Sequence, residues 1–560
     1  MRTATFRGAA VLLSAAVILV SVPQPRHLVK ISQAEPAVWA LLERLQLDVA
    51  QELQTCFLAR ATLDEVRALR GKGVPVAVLD WNIGNKDYIL VRDPGLSRCA
   101  LLERRGRLAV LESDLVLFWS AEGPSVQSLP RGLSRKPLPA WSVLPYLRPP
   151  SAAPAGVVPR AERDPVVENI LAEISAPKLR ATVQSLQDFK TRYASTSQCE
   201  SAGALIYDGL LGLGLPTEYQ AFAFEGAYSS RNVIAEVRGV SYPDDILIIG
   251  GHYDSYAQTS PETSAPGADD NASGTAAAIE TARILARHPL DFTVRFIAFS
   301  AEEWGLYGSK AYAARVRSRN ERIVGVVNLD MISYVKKPDT LVEIIVNEAS
   351  SWLGDKAARA TSAYTTLVPR KTVNASFVFS DHASFWEMGY PALLEIEAGD
   401  NPYYHKTTDT IDTLDFDFFT QTTRAALAVL AELAQPVRAG VPATPAGFSG
   451  RVVTFYSLFN AAKRASLSWS AVPGAAGYYI YRSRRSHLDY EKITETRLTA
   501  TAFSDDYLKP DAYYYYVVTA VKSDGSESNP SREFEVGPTK ALGDASGAPR
   551  FALIRNGGRP

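Results

Sequence analysis

The chain has 560 residues, 46% of them hydrophobic and 21% charged, a composition that excludes wholesale disorder and supplies apolar material for several cores. Lysine plus arginine number 59 and aspartate plus glutamate 60, so the formal charge of -1 leaves no electrostatic footprint for nucleic acid or an anionic membrane. The three cysteines, Cys56, Cys99 and Cys199, allow at most one disulfide and are wrongly spaced for a structural zinc site.

Arg2 and Arg7 precede an apolar run from Ala9 to Val22 that ends at Pro23 and Pro25, the order of a secretory signal peptide. The run falls short of the about 20 apolar residues of a membrane span, and it lacks a clear small-x-small cleavage site. Residues 1–25 are therefore expected to be an export signal or a retained membrane anchor, which makes the protein secreted, periplasmic or attached to the cell envelope. Residues 28–147 form an expected α+β domain, with helical periodicity from Ala37 to Leu69 and short β-rich runs at Val74 to Leu79 and Tyr88 to Val91. Proline and alanine then crowd residues 148–165, as in an extended linker.

Residues 166–436 read as an α/β domain. A largely helical stretch from Asn169 to Leu215 is followed by apolar runs at Ile246 to Gly250, Val294 to Phe299, Val324 to Leu329, Leu341 to Val346 and Ala392 to Ile396. Helical stretches alternate with them, which predicts a mostly parallel mixed sheet flanked by helices. The domain should close with the helix Ala425 to Ala434. A connector, Val441 to Gly447, leads to period-two alternation over residues 442–538, with Leu467, Trp469, Tyr479, Tyr481, Tyr514, Tyr516, Val518 and Ala520 as expected core of a β-sandwich. The stretches "LSWSAVPGAAGYYIYRS" and "YYYYVVTAVKSDGSESNPS" resemble a fibronectin type III domain. This unit is expected to be dispensable for the activity of the domain before it and to offer a polymer or surface contact. Residues 539–560 read as a flexible tail.

Three strands run directly into ionisable residues: the first into His252 and Asp254, the second into Glu302 and Glu303, the third into Asp330. In an open α/β sheet the ligand site lies beyond the carboxyl ends of the strands, so these side chains share one edge. So many carboxylates together require a cation. Asp270 in "GADDNASG" and His405 in "NPYYHKTTDT" complete an imidazole and carboxylate donor set suited to zinc.

In order, "GGHYDSY", "GADDNASGTAA", "AEEWGLYGS", "NLDM", "SDHASFWEMGYPA" and "YYHKTTDT" resemble the M28 family of co-catalytic zinc aminopeptidases. The resemblance implies two zinc ions bridged by Asp270, with His252 and Asp330 as terminal ligands of one and Glu303 and His405 of the other. It makes Glu302 the general base that takes a proton from the attacking water and delivers it to the leaving amine. Asp254 would orient His252, and Tyr404, next to His405, would polarise the scissile carbonyl, since Phe377 stands where other members place that tyrosine. Asp269 is then a solvated or hydrogen-bonded loop residue, His382 a satisfied core histidine, and Asp381 a supporting or structural group. The family also implies a cis peptide between Asp270 and Asn271. The expected activity is removal of N-terminal residues from peptides or proteins. A carboxypeptidase, dipeptidase or glutaminyl cyclase-like enzyme is the catalytic alternative, and a non-catalytic extracellular binding protein the other. No basic cluster near the motifs announces a carboxylate pocket, with Arg231 and Arg370 left unplaced.

Overall fold

A computed structural model describes residues 163–538 apart from 337–339, 400 and 457–460. It also describes 25–138 apart from 33–36, 46, 54–55, 84–85, 87, 93–101, 105, 112–114 and 120–133. The expected export segment, almost all of the Pro/Ala-rich linker, Cys99 and the tail lie outside the described residues.

The N-terminal unit begins with β1 (His27–Ser32), α1 (Ala37–Arg44), β2 (Asp48–Glu52), β3 (Cys56–Ala61), α2 (Leu63–Gly71) and β4 (Val76–Asp80). Its sheet has the order β2-β3-β1-β4 with every neighbour antiparallel, the split βαβ pattern of ferredoxin-like domains. Continuous helical periodicity from Ala37 to Leu69 is thus overturned: a hairpin separates α1 from α2. The cause lies in β3, where Phe57, Ala59 and Ala61 face one core while Cys56 and Leu58 face another. A strand that is apolar on both faces loses the period-two signal. A reciprocal cap starts α2, with Thr62 Oγ1 accepting from Glu65 N and Glu65 accepting from Thr62 N at 2.7 Å. A second antiparallel sheet of order β6-β7-β5-β8 follows, made of β5 (Tyr88–Arg92), β6 (Arg107–Val110), β7 (Leu115–Trp119) and β8 (Ser134–Pro137).

Three helices, α3 (Pro165–Leu171), α4 (Ala176–Gln187) and α5 (Ser197–Gly212), bear out the helical reading of Asn169 to Leu215. The large domain continues with β9 (Thr217–Phe224), β10 (Tyr228–Val237), β11 (Tyr242–His252), α6 (Gly274–Leu285), β12 (Phe292–Phe299), α7 (Tyr307–Ser318) and β13 (Arg322–Leu329). It ends with β14 (Leu341–Val346), α8 (Ser351–Tyr364), β15 (Val368–Val373), α9 (His382–Glu387), β16 (Ala392–Glu397) and α10 (Phe416–Ala434). The eight-stranded sheet has the order β15-β14-β16-β13-β11-β12-β10-β9. Its central strands β16, β13, β11 and β12 are mutually parallel, and antiparallel pairings set in on either side. Parallel central strands must be covered on both faces, and β11 is buried from Asp245 to His252. The carboxyl ends of β11, β12 and β13 consequently open on one edge.

Beyond it, β17 (Ser449–Tyr456), β18 (Ala461–Ser468), β19 (Gly477–Ser483), β20 (Glu491–Lys492), β21 (Ala502–Leu508), β22 (Tyr514–Val521) and β23 (Phe534–Val536) form a three-stranded and a four-stranded sheet. One core lies between them, with Leu467, Trp469, Tyr478, Ile480, Tyr514, Tyr516, Val518 and Ala520. Tyr479 and Tyr481 were expected there, but β19 runs one residue out of that register. Both rings face outward, with the Lys492 ammonium 3.6 Å from the Tyr479 ring centroid.

The connector is a fixed part of the structure. Asp291, buried at the foot of β12, accepts hydrogen bonds from Thr444 Oγ1 at 2.7 Å and from Asn529 Nδ2 at 2.8 Å. The Tyr242 hydroxyl donates to the Pro445 carbonyl, and the Arg359 guanidinium grips Asp489 through both terminal nitrogens. The Asp291 and Tyr242 contacts lie at the amino ends of β12 and β11, the edge opposite the metal-ligand candidates, and the Arg359 pair adds a hold from α8. Asn529→Ala strips a donor from the buried Asp291 carboxylate and from the Pro436 carbonyl. It should cost about 1–3 kcal/mol, read as a lower midpoint in thermal unfolding, with hydrolysis of small peptides by the folded fraction unchanged.

Candidate metal centre

The strand ends assemble the site. His252 is the last residue of β11, Glu302 and Glu303 follow β12 by three and four positions, and Asp330 follows β13 directly. Asp270 lies in the turn 268–273 before α6, and its peptide bond to Asn271 is cis, as the resemblance implied. His405 arrives on the loop after β16.

His252 Nε2 lies 3.4 Å from Asp270 Oδ1 and 3.4 Å from Asp330 Oδ1. His405 Nε2 lies 3.3 Å from Asp270 Oδ2 and 3.0 Å from Glu303 Oε2. Asp270 thus offers one oxygen to each cluster. In each of the sets His252/Asp270/Asp330 and Asp270/Glu303/His405, one donor atom per residue lies within 4.8 Å of the others. His252 Nε2, Asp270 Oδ2, Glu303 Oε1 and Asp330 Oδ1 are buried with no hydrogen-bond partner. Orphaned donor atoms from one imidazole and three carboxylates, with the His405 imidazole beside two of those carboxylates, fit a pair of divalent cations that share Asp270.

The electrostatics carry the same demand. Burial opposes charge on His405, yet Glu303 and Asp270 push its imidazole up to about 10, and His252 likewise stands well above its ordinary value. Burial pushes Glu303 up to about 7, against the pull of His405. Burial would also raise Asp270, but the His252 and His405 imidazoles beside it hold it below the usual carboxylate range. Burial, opposed by His252 and reinforced by Glu303, keeps the Glu302 carboxyl well above its normal value.

Hydrogen bonds hold the ligands from behind. His252 Nδ1 lies 3.1 Å from the Asp254 carbonyl oxygen and 3.6 Å from its carboxylate. That carboxylate accepts the backbone N–H groups of Glu302 at 3.2 Å and Glu303 at 3.3 Å, so one residue orients both the imidazole and the glutamate pair. Ser380 Oγ donates to Asp330 Oδ2 at 2.6 Å and accepts from Asn328 Nδ2. Ala301, Met331 and His405 adopt left-handed backbone with φ of 55°, 53° and 56°. Such conformations in non-glycine residues are uncommon and concentrate at functional sites.

Asp269 is not solvated. It is fully buried, accepting from Ser333 N and Oγ and from Asn401 Nδ2. Asn401 also donates to Glu397, whose carboxyl burial and Asp269 push well up. His382 is buried, 2.8 Å from the Phe377 carbonyl and edge-on to Trp386, the core histidine expected. Asp381 is fully buried beside them and raised to about 7 by burial. Tyr404, 43% exposed, stacks on His405 with ring centroids 3.8 Å apart. Arg231 lies over the Tyr219 ring and Arg370 pairs with Glu343. Neither joins the cluster.

Sequence reasoning missed Asp409, whose carboxylate accepts the N–H groups of Asp269 at 2.9 Å and Asp270 at 3.0 Å. It lies within the "HKTTDT" motif, but a carboxylate that binds backbone looks, in sequence, like any loop aspartate. Also missed was Arg192, fully buried some sixty positions before the first ligand.

Residues 232–430 match the model of peptidase family M28. A probable leucine aminopeptidase of Arthroderma otae is 29% identical over 255 residues, which cover 44% of this chain and 70% of that protein. A probable zinc metalloprotease of Pyrenophora teres f. teres is 27% identical over 313 residues, 47% of this chain and 64% of that one. Among solved structures, an aminopeptidase from Aneurinibacillus sp. strain AM-1 aligns over 48% of this chain and 96% of its own, at 21% identity and a TM-score of 0.41.

Replacing Asp409 by Ala leaves two buried N–H groups without their acceptor and frees the turn that carries Asp270. Loss of such a supporting partner typically costs 10–100-fold in metal affinity. Asp409→Ala should show that loss in a chelator-competition titration while far-ultraviolet circular dichroism stays that of the parent.

Proposed function

We propose that this chain, an enzyme of the zinc metallopeptidase class with an M28 peptidase domain, is an exported exopeptidase that removes N-terminal residues from peptides. The observation that carries the reading is the sharing of Asp270 between two donor clusters, each closed by one histidine and one further carboxylate. His252, Asp270 and Asp330 would hold one zinc ion, and Asp270, Glu303 and His405 the other. When bound, such a pair supplies Lewis acidity at the scissile carbonyl and lowers the pKa of the attacking water toward neutrality.

The chain's own residues do the rest. Glu302 borders both clusters, with Oε2 3.9 Å from His252 Nε2, and is kept in place by the Asp254 hydrogen bond to its N–H. Its carboxylate takes the proton of the attacking water and passes it to the leaving amine. Tyr404, stacked on His405 and partly exposed, would donate to the carbonyl oxygen as charge develops on it. Two complete clusters favour a peptidase over a cyclase-like use. The placement of Arg231 and Arg370 away from the cluster favours recognition of a free amine over recognition of a carboxylate. The matched M28 domain weighs against the non-catalytic binding reading. Export rests on the Ala9 to Val22 run, and among the described residues no helix is long and apolar enough to cross a membrane. The C-terminal sandwich is taken as a fibronectin type III-like unit on its strand count and its core tryptophan, Trp469.

Metal analysis of the purified full chain should find two zinc ions. A single ion, with Glu303 and His405 free of metal, would point to the cyclase-like alternative.

The adjacent glutamates should separate chemistry from metal binding. Glu302→Gln cannot accept a proton and should lower turnover by about two to four orders of magnitude while both ions and substrate affinity remain. Glu303→Gln removes ligand charge, so zinc occupancy and activity should fall together, and added zinc should restore part of each. The reverse metal phenotypes would exchange the two assignments.

A further inference from the structure

Arg192 is fully buried, and the hydrogen bonds of its guanidinium run to backbone carbonyls. Nε donates to Tyr253 O at 2.7 Å, Nη1 to Pro266 O at 2.6 Å and Leu186 O at 3.2 Å, and Nη2 to Gly267 O at 2.8 Å. Tyr253 directly follows His252, and Gly267 stands three positions before Asp270. One planar side chain therefore ties the exit of β11 to the turn that supplies the shared aspartate. The seat is built for it. Gly267 has a φ of +53°, and a Cβ there would meet Asp270 O at 2.4 Å, Ser255 Cβ at 2.5 Å and Arg192 Nη2 at 3.0 Å. Ser255 Oγ accepts from Arg192 N at 3.0 Å and donates to Ala265 O at 2.7 Å. Asp409 clamps the same turn from its other end through the N–H groups of Asp269 and Asp270. Burial opposes the arginine's charge, and the neighbouring carboxylates of Asp409, Asp254 and Asp270 sustain it.

We infer that Arg192 is a positioning residue of the metal centre, which fixes His252 against Asp270 through backbone carbonyls and offsets part of the carboxylate charge around them. The inference rests on the two-metal reading above. It carries an asymmetry: Arg192 reaches the elements of His252 and Asp270 but not those of Glu303 and His405. A lysine keeps the charge but lacks the planar fork that spans these carbonyls, so it would keep the charge and lose the registration.

The test is a zinc titration of the full chain against a competing chelator, for the parent, Arg192→Lys and Ser255→Ala, with thermal unfolding followed in parallel. Arg192→Lys should weaken one ion about 10–100-fold, the scale for loss of a ligand's supporting partner, and weaken the other less. Its kcat should recover at saturating zinc with KM little changed. Ser255→Ala loosens the seat without touching the charge and should weaken the same ion by a smaller factor. Two ions bound with parental affinity by both variants would overturn the inference, and so would a lower unfolding midpoint with unchanged affinity. Should Arg192→Lys fail to fold, Ser255→Ala decides alone, parental affinity overturning the proposal. A parent chain that binds fewer than two ions would instead sink the two-metal reading, and the inference with it.

Discussion

Carboxylates taken out of water next to one another repel, and at the carboxyl edge of this sheet Asp254, Asp269, Asp270, Glu302, Asp330, Asp381 and Asp409 are all buried together. Most of the surrounding architecture answers that cost. Some of the charge is spread over backbone N–H groups, as Asp254 does with the glutamate pair and Asp409 with the turn at Asp270. Ser333 and Asn401 satisfy Asp269, and the Ser380 hydroxyl binds one oxygen of Asp330. A permanent cation, Arg192, is buried among them. Left without a partner are both oxygens of Asp381 and, facing one another, one oxygen each of Asp270, Glu303 and Asp330 with His252 Nε2, the atoms of the candidate metal clusters. The same arrangement explains the left-handed residues at the strand ends. A ligand that must leave its strand and turn at once toward a common point cannot keep extended backbone.

The candidate ligands were legible in sequence because a parallel sheet converts position along the chain into position in space. An apolar run that ends in a charged residue marks both a strand and its carboxyl end, so His252, Glu302, Glu303 and Asp330 could be placed on one edge before any coordinates. Groups that act through the backbone left no such trace. Asp409 and Arg192 bind amides and carbonyls, which every residue type presents, and nothing in the spacing of either betrays its partners. Of the two readings of Asp269, solvated or hydrogen-bonded, the second holds, because Ser333 and Asn401 bind its carboxylate in full burial.

The errors in the flanking units have a different origin. In β3 both faces are buried, so Cys56 to Ala61 mimic a helical face. In β19 five consecutive residues from Gly477 to Tyr481 include three tyrosines, and aromatic content alone cannot say which alternate set points inward. The connector after Pro436 has the composition of a free linker, yet Thr444 and Pro445 are held by Asp291 and Tyr242. Composition reports what a segment can do when unpartnered. A single buried aspartate at the foot of a strand was enough to make it structural.

The sandwich is fastened at the amino ends of β11 and β12, while the ligands emerge from the carboxyl ends of the same strands. The sandwich therefore sits toward the back of the large domain, like a handle. The edge that carries the candidate ligands is left clear of these fastenings, so the two units do not compete for one side of the sheet.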